Sequence, residues 1–317
     1  MAEAGVRVEL FKREYVAGEL VHGDVFLDAA IPIEFNGLAV FLMGVELMSW
    51  KEKHGSETRR KDYSKVFFSQ KIGLADTPEY YELGNFFAYR FQYQLPSSLP
   101  GFVSVKQTYD SGRVSVFKGA VRYTIEARLA NLVTFDDAFA AAAAAGGVLT
   151  PPATARTKLR IHALPPRGMV RALEVSVSKE LRSRLFFKKG SCEITAVVDK
   201  NVFVTGTKVF VNASVHNDSS EKIERISLQL HQHIVPMNSA KGNVTYAKMI
   251  CERRFPGVDA GHHSVNQLSL NLIDVAAKAP IPPTNRTGHL FVVRYIVQVE
   301  CQYTGAQSVK LELPIQV

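Results

Sequence analysis

The chain carries one series of sequence landmarks twice, and this repeat limits the folds open to it more than any other feature. Residues 121–127 read VRYTIEA, and residues 293–299 read VRYIVQV. Upstream of each, at Lys12 and at Lys200, begins the pattern Lys-x-x-aromatic-Val-x-Gly-x-x-Val. In both copies an alternating apolar run opens 20 residues after the glycine of that pattern. Because the landmarks recur in the same order, we predict two copies of one fold unit.

The distance between the copies indicates two domains. Solenoid repeats are about 20–50 residues long, whereas VRY stands at residue 121 and again only at residue 293. A chain of 317 residues is long enough for two domains that each enclose a core. The proline-rich break LPPRG and a basic run at 179–189 precede the second copy. We therefore predict domains at residues 1–180 and 181–317.

Alternation between apolar and polar residues sets the predicted fold class. The runs KVFVNASVH (208–216), ISLQLHQH (226–233) and VKLELPIQV (309–317) are typical of strands that bury one face. Many such short runs, separated by turn signals, indicate antiparallel sandwiches, so we predict an all-β chain. Gly18 and Gly206 each follow the first strand of a copy, and we predict both to be structural turn glycines with positive φ.

One segment departs from the alternating pattern. Residues 134–156 form a low-complexity insertion in the N-terminal domain, with alanines at 140–145 followed by two glycines. Alanine favours helix and paired glycine ends one, yet the segment has no apolar stripe that a helix could bury. A short exposed helix and a disordered insertion therefore both stay open.

Cysteine usage and hydropathy indicate the cellular compartment in which the protein resides. The three cysteines, at 192, 251 and 301, are odd in number and none has CxxC spacing, so they do not predict a disulfide framework. The first residues, MAEAGVRVELF, lack an apolar core of signal-peptide length, and no run approaches the length of a membrane span. We therefore expect a cytoplasmic protein, with peripheral contact to an endosomal or plasma membrane as an open alternative.

The positive charge of the chain is concentrated in clusters. The formal net charge is +8, and the segment KEKHGSETRRKD at 51–62 is predicted to be a polar loop between strands. Near an acidic membrane each Lys or Arg gains about 1 kcal/mol, but this segment also carries three carboxylates, which favours a solvated loop. Binding of an anionic membrane or a phosphorylated tail stays open, whereas no nucleic-acid motif is present. The candidate residues for an anionic partner are Lys51, Lys53, Arg59, Arg60 and Lys61.

Catalytic and metal-binding patterns are weak. The sequence contains no GxSxG, HExxH or GxxxxGK[ST] motif. His231 and His233 would share one face of a strand, which makes a metal site geometrically possible. They alternate with Leu228 and Leu230, however, and are predicted to face solvent. We therefore predict no catalytic residue, no metal ligand and no cofactor.

Several motifs together resemble a known family. The segments YVAGELVHGDVFL (15–27), FFAYRFQYQLPSSLPGF (86–102) and the run FFKKGSC…HNDSS (186–220) resemble, in this order, the arrestin superfamily and within it the α-arrestin (arrestin-domain-containing) branch. The resemblance implies an arrestin fold, which is two tandem immunoglobulin-like antiparallel β-sandwiches. It also implies a non-catalytic adaptor or scaffold in membrane-protein trafficking and endocytic sorting. The implied partners are membrane-protein cargo tails, ubiquitin ligases and coat proteins.

Two departures from the α-arrestin and β-arrestin patterns narrow these implications. The Pro-Pro pairs at 151–152 and 282–283 are followed two residues later by Thr154 and Asn285, and so do not form the Pro-Pro-x-Tyr motif that recruits ligases. The stretch 276–287 holds no carboxylate, so a phosphate-triggered polar core is not expected. The alternatives to an adaptor are a retromer-type coat subunit of the same superfamily and an anionic-lipid-binding module.

Overall fold

The computed structural model is built of β-strands throughout the part of the chain that it describes. Those residues form twenty-one strands and no helix, which confirms the all-β prediction. The predicted insertion at 134–156 lies outside them up to residue 153. The described residues are 5–28, 33–35, 37–54, 57–75, 79–81, 86–109, 114–130, 154–164, 170–182, 188–237, 245–275, 278–304 and 306–317.

The chain divides into two compact units, each with its own apolar core. Whether residues 1–180 and 181–317 fold as separate domains stays a prediction. Unit 1 consists of Met1–Trp50, Arg60–Ser104 and Lys118–Leu164, and unit 2 consists of Lys51–Arg59, Val105–Phe117 and Pro165–Val317.

The strands of the N-terminal half form two main sheets. One has the order β1-β3-β8, and the other has the order β2-β11-β10-β5-β6 with β9 paired to β10. A small ribbon pairs β4 with β7, and β2 runs parallel to β11. The strands are β1 (Gly5–Leu10), β2 (Glu14–Val16), β3 (Leu20–Asp28), β4 (Ile33–Phe35), β5 (Gly37–His54), β6 (Glu57–Ala75), β7 (Glu79–Tyr81), β8 (Phe86–Gln94), β9 (Val103–Thr108), β10 (Val114–Ala130) and β11 (Thr154–His162).

The core of unit 1 follows from the alternation of its strands. Val21, Val25 and Leu27 on β3 are all fully buried, while the even-numbered residues 22, 24 and 26 are partly exposed. Tyr123 and Leu159 occupy inward positions on β10 and β11, where they too are buried. Each such apolar side chain contributes about 1.5–3 kcal/mol when it leaves water, so the inward face of every strand is fixed.

The strands after residue 170 form two four-stranded sheets. Their orders are β12-β13-β14-β17 and β16-β15-β20-β21, with β18 and β19 as a short ribbon. The arrangement of antiparallel sheets agrees with the predicted sandwiches of the arrestin fold. The strands are β12 (Leu173–Arg182), β13 (Lys188–Val198), β14 (Lys208–Ser219), β15 (Ile223–Pro236), β16 (Tyr246–Val258), β17 (His262–Asn271), β18 (Ile273–Asp274), β19 (Ala279–Pro280), β20 (Phe291–Tyr303) and β21 (Val309–Ile315).

A buried asparagine closes one end of unit 2. Asn217, near the end of β14, is 0% exposed. Its Nδ2 donates to the backbone carbonyl oxygens of Glu221 and Asp259, at 2.8 and 3.1 Å. Its Oδ1 accepts from the hydroxyls of Ser219 and Tyr303, at 2.6 and 3.2 Å. The amide therefore has the partners that a buried polar group needs, and it joins two turns to strand β20.

The repeated glycines lie in equivalent turns. Gly18 has a φ of 87° and Gly206 a φ of 81°. In both turns the amide that follows the glycine donates to the carbonyl two residues before it, from Glu19 to Val16 at 3.0 Å and from Thr207 to Val204 at 3.2 Å. A β-turn with positive φ at its third residue favours glycine, because a Cβ atom is strained in that conformation.

Replacement of Gly206 tests this backbone requirement without added crowding, since no atom lies within 4 Å of a Cβ built there. We expect Gly206→Val to lower the free energy of unfolding by about 1–3 kcal/mol. Gly206→Asn is the matched control and should cost less, because asparagine tolerates positive φ better than a β-branched residue. Urea denaturation measures both variants, and equal midpoints for wild type and Gly206→Val would refute the requirement.

Candidate anionic-partner sites

The five predicted anionic-partner residues lie on a hairpin. Lys51 and Lys53 are on β5, and Arg59, Arg60 and Lys61 are on β6. The strands continue to His54 and from Glu57, so the segment predicted as a loop is mostly extended strand. All five side chains are exposed. We call this set of five residues the basic hairpin.

Acidic neighbours partly neutralise the basic hairpin. Arg59 pairs with Glu57 at 3.2 Å, and Arg60 pairs with Asp62 at 2.7 Å. All four side chains are more than half exposed, so each pair contributes between about 0 and 1 kcal/mol. Within the described part of the chain, Lys51 and Lys53 make no ion pair.

A second basic surface is a cleft in unit 1, which the sequence did not suggest. Its volume is about 480 Å³, and β10, β11 and the segments before β2 and around the start of β9 line it. Its lining includes four cationic side chains and one carboxylate, which is an excess of three positive charges. The lining residues are Arg13, Glu14, Phe102, Ser104, Arg122, Tyr123, Thr124, Lys158, Leu159 and Arg160. We call this surface the basic cleft.

The strand pairing explains why these cations meet. Thr124 on β10 pairs with Lys158 on β11, and Arg160 on β11 pairs with Glu14 on β2. The backbone of Arg160 also donates to the carbonyl of Arg13 at 2.8 Å, which holds the segment before β2 against β11. Residues far apart in the sequence are therefore brought to one surface of one sheet.

The four cations of the basic cleft differ in whether a described residue pairs with them. The guanidinium of Arg160 pairs with Glu14 at 3.1 Å and lies over the ring of Phe102, 5.4 Å from its centroid. The exposed side chains of Arg13, Arg122 and Lys158 make no ion pair or hydrogen bond with any described residue. These three cations are thus available to an anionic group from outside.

The neighbouring part of the same sheet is partly neutralised by its own carboxylate. Glu126 on β10 accepts from Arg128 at 2.8 Å and from the Nε of Arg156 on β11 at 2.9 Å. Burial opposes ionisation of Glu126, but the hydrogen bonds from the two arginines hold the pKa of its carboxyl below the ordinary value. The carboxylate is only 8% exposed. This cluster keeps an excess of one positive charge, whereas the basic cleft has an excess of three.

The two candidate metal-binding histidines are half-buried rather than solvent-facing as predicted. His231 donates from Nε2 to the side-chain oxygen of Gln229 at 2.9 Å, and burial lowers the pKa of both His231 and His233. The histidines are half-buried because this face of the sheet carries a layer of polar side chains. In that layer Gln229 also forms hydrogen bonds of 3.0 Å with Gln298 and with Glu300. The described residues hold no group of three His, Cys, Asp or Glu that could bind a metal ion.

The described residues define an all-β protein with exposed cationic surfaces, and comparison with known proteins shows what the chain is similar to. Residues 188–317 match the family model of the arrestin (or S-antigen) C-terminal domain. The chain is 19% identical over 321 residues to arrestin domain-containing protein A of Dictyostelium discoideum, a match that covers 97% of this chain and 50% of that protein. The chain thus spans about half the length of this curated relative. The matches confirm the resemblance to the arrestin superfamily and to its α-arrestin branch.

Across the described ranges, no helix has both the length and the apolar character that crossing a bilayer requires.

Replacement of Glu126 tests the charge network beside the basic cleft. A carboxyl whose pKa is lowered by folding stabilises the protein above its unfolded pKa and loses that contribution as the pH falls through the folded pKa. We expect Glu126→Gln to lower the free energy of unfolding by about 1 kcal/mol at neutral pH. The difference from wild type should shrink once the pH falls below the ordinary value of 4.5.

Urea denaturation at neutral pH and in acid measures this difference. Glu14→Gln is the matched control, since the carboxylate of Glu14 pairs with Arg160 but is 58% exposed. The control should lose less stability than Glu126→Gln. A loss at Glu126 that is equally large in acid would show that the carboxylate charge is not its cause.

Proposed function

We propose that this protein is a non-catalytic arrestin-like adaptor that binds an anionic segment of a membrane-protein cargo in the basic cleft. The observation that carries the proposal is a group of three exposed cations on one concave surface, Arg13, Arg122 and Lys158, which have no ion-pair partner among the described residues. The family similarity supports the adaptor class. Membrane-protein trafficking, endocytic sorting and a cytoplasmic site of action at the endosomal or plasma membrane are parts of the same proposal.

The chemistry of the basic cleft favours a carboxylate or phosphate ligand. An arginine guanidinium presents parallel N–H donors that match the oxygens of either group, and a lysine adds a mobile point charge. Arg122 and Lys158 lie on neighbouring strands, so an extended acidic segment could contact both while its backbone follows the sheet. The aromatic ring of Phe102 supplies an apolar wall beside them. A phosphorylated or strongly acidic cargo tail fits this surface.

Charge reversal in the basic cleft tests the proposal directly. We expect Arg122→Glu/Lys158→Glu to weaken binding of a phosphorylated peptide roughly tenfold or more, because two attractive contacts become repulsive. Fluorescence anisotropy with a labelled phosphopeptide and its unphosphorylated form measures the change. Binding by the wild type should also weaken as salt is added, since exposed charges are screened over about 8 Å at physiological ionic strength.

A matched variant separates the basic cleft from overall charge. Lys65→Glu/Lys71→Glu makes the same change in net charge on β6 of unit 1, at exposed lysines that do not line the cleft. This control should bind the phosphopeptide nearly as well as the wild type. An equal loss in both double variants would mean that net charge alone attracts the peptide, and the assignment to the basic cleft would be wrong.

The basic hairpin supports a second candidate function, which is contact with an anionic membrane. The observation in its favour is that Lys51 and Lys53 alternate on one face of β5, are exposed and have no acidic partner among the described residues. A cation near an acidic leaflet gains about 1 kcal/mol.

Vesicle sedimentation tests the hairpin. We expect Arg59→Glu/Arg60→Glu/Lys61→Glu, and separately Lys51→Glu/Lys53→Glu, to abolish binding to vesicles that contain phosphatidylserine, with folding retained because exposed charges add little stability. Vesicles of phosphatidylcholine alone are the control. If both variants sediment like the wild type at low salt, the hairpin is a solvated connection.

Pull-down experiments distinguish an adaptor from the coat alternative. An adaptor should recover cargo and ubiquitin ligase in amounts that vary with cargo, whereas a retromer-type subunit should recover coat proteins in fixed stoichiometry.

A further inference from the structure

Unit 2 contains three buried free cysteines that the proposed function does not use. They are Cys192 on β13, Cys251 on β16 and Cys301 on β20. Cys192 and Cys301 are both 0% exposed. The strands β13 and β20 belong to different sheets of unit 2.

Cys192 and Cys301 lie at the same level of the two sheets. Cys192 pairs with Asn217 in the register of β13 and β14. Asn217 in turn accepts a hydrogen bond of 3.2 Å from the hydroxyl of Tyr303, which lies two residues beyond Cys301 on β20. The two sheets are therefore in side-chain contact at this level. Both cysteine side chains occupy fully buried positions in this core.

We propose that Cys192 and Cys301 form a reversible disulfide that links the two sheets of unit 2. A disulfide requires two cysteines whose side chains point toward each other with Cβ atoms close together. Buried positions on the two sheets, joined at this level by the hydrogen bond between Tyr303 and Asn217, direct the two side chains toward each other. The inference does not depend on the proposed binding functions, because neither the basic cleft nor the basic hairpin includes a cysteine.

The two thiols differ in acidity, which orders the steps of the reaction. Hydrogen bonds from Cys301 and Tyr303 lower the pKa of Cys192, while the contact with Cys192 and burial raise the pKa of Cys301. The thiolate is the reactive form of cysteine, so Cys192 is the attacking group.

Hydrogen peroxide is a sufficient oxidant. The thiolate of Cys192 attacks one peroxide oxygen, the O–O bond breaks, and hydroxide leaves a sulfenic acid on Cys192. The sulfur of Cys301 then attacks the sulfenic sulfur, the S–O bond breaks, and water leaves with the thiol proton of Cys301. The hydroxide takes up the proton that Cys192 had released, so two thiols and one peroxide give one disulfide and two waters.

Cys251 serves as an internal control. Its thiol donates to the backbone carbonyl of Asn271 at 3.4 Å, and burial raises its pKa to about 11. It has no thiol partner among the described residues. We therefore expect Cys251 to stay reduced under conditions that oxidise the pair.

Peptide mapping of the full chain tests the proposal. Native protein is treated with hydrogen peroxide, its remaining thiols are alkylated, and it is digested with trypsin without reduction. We expect peptide 190–200 to be linked to peptide 295–310 in the monomer, and the link to disappear after dithiothreitol. Peptide 249–253, which carries Cys251, should be recovered alkylated and unlinked. A link to Cys251, a link between two molecules, or three free thiols after treatment would overturn the proposal.

Single replacements and a stability measurement provide independent checks. Cys251→Ser should lose both of its remaining free thiols on oxidation, whereas Cys301→Ser should keep Cys192 and Cys251 free of any disulfide. If Cys301→Ser does not fold, Cys251→Ser still decides the question through the mapped link. The oxidised form of Cys251→Ser should unfold at a higher temperature than its reduced form, because the crosslink constrains the unfolded chain. An unchanged or lower midpoint in a protein that carries the link would overturn its role in holding the sheets together.

Discussion

The burial of one face of every strand is the constraint on which both the fold and the basic cleft depend. Tyr123 and Leu159 are drawn into the core of unit 1, and side chains on a strand alternate between faces. Arg122 and Lys158 are their neighbours in the sequence and must therefore point outward. The same apolar burial that stabilises the sheet thus aligns its cations. A shift of register by one residue would bury these charges and expose the core.

Two features set the basic cleft apart from an ordinary polar sheet face. Glu126 is shared by the two arginines Arg128 and Arg156 nearby, whereas among the described lining residues Glu14 alone offsets the four cations of the cleft. The hydroxyl of Tyr123 donates to the backbone carbonyl of Pro100 at 2.5 Å, which fixes the segment before β9 against the sheet. The positive charge is therefore both uncompensated and held on a rigid framework, which is the arrangement that a binding surface requires.

The architecture was largely predictable, because strand periodicity and turn chemistry are local. The alternation in 208–216 and 309–317 is present in strands β14 and β21, and both repeated glycines have positive φ. Residues 51–62 were interpreted as a loop because both faces of this segment are polar. Its hairpin is extended nonetheless, since backbone pairing between strands does not require an apolar face.

The basic cleft was not predictable in the same way. Arg13, Arg122 and Lys158 become neighbours only through the order β2-β11-β10, and strand order depends on pairing between distant segments. The available signal was the arginine of VRYTIEARL and the alternating charges of TARTKLRIH, which mark the outward face of two strands without saying that they pair. His231 was likewise misplaced, because the side chains that cover it come from other strands.

The buried amide of Asn217 has a consequence for covalent modification. Asn217-Asp218-Ser219 spells an N-glycosylation sequon, and Asn285-Arg286-Thr287 spells another. A glycan is attached through the side-chain nitrogen, yet in both asparagines that atom donates to backbone carbonyls inside the protein. Asn217 is 0% exposed and Asn285 only 4%, so neither position has space for a sugar. Glycosylation at these two sequons and the folded state of unit 2 therefore exclude one another.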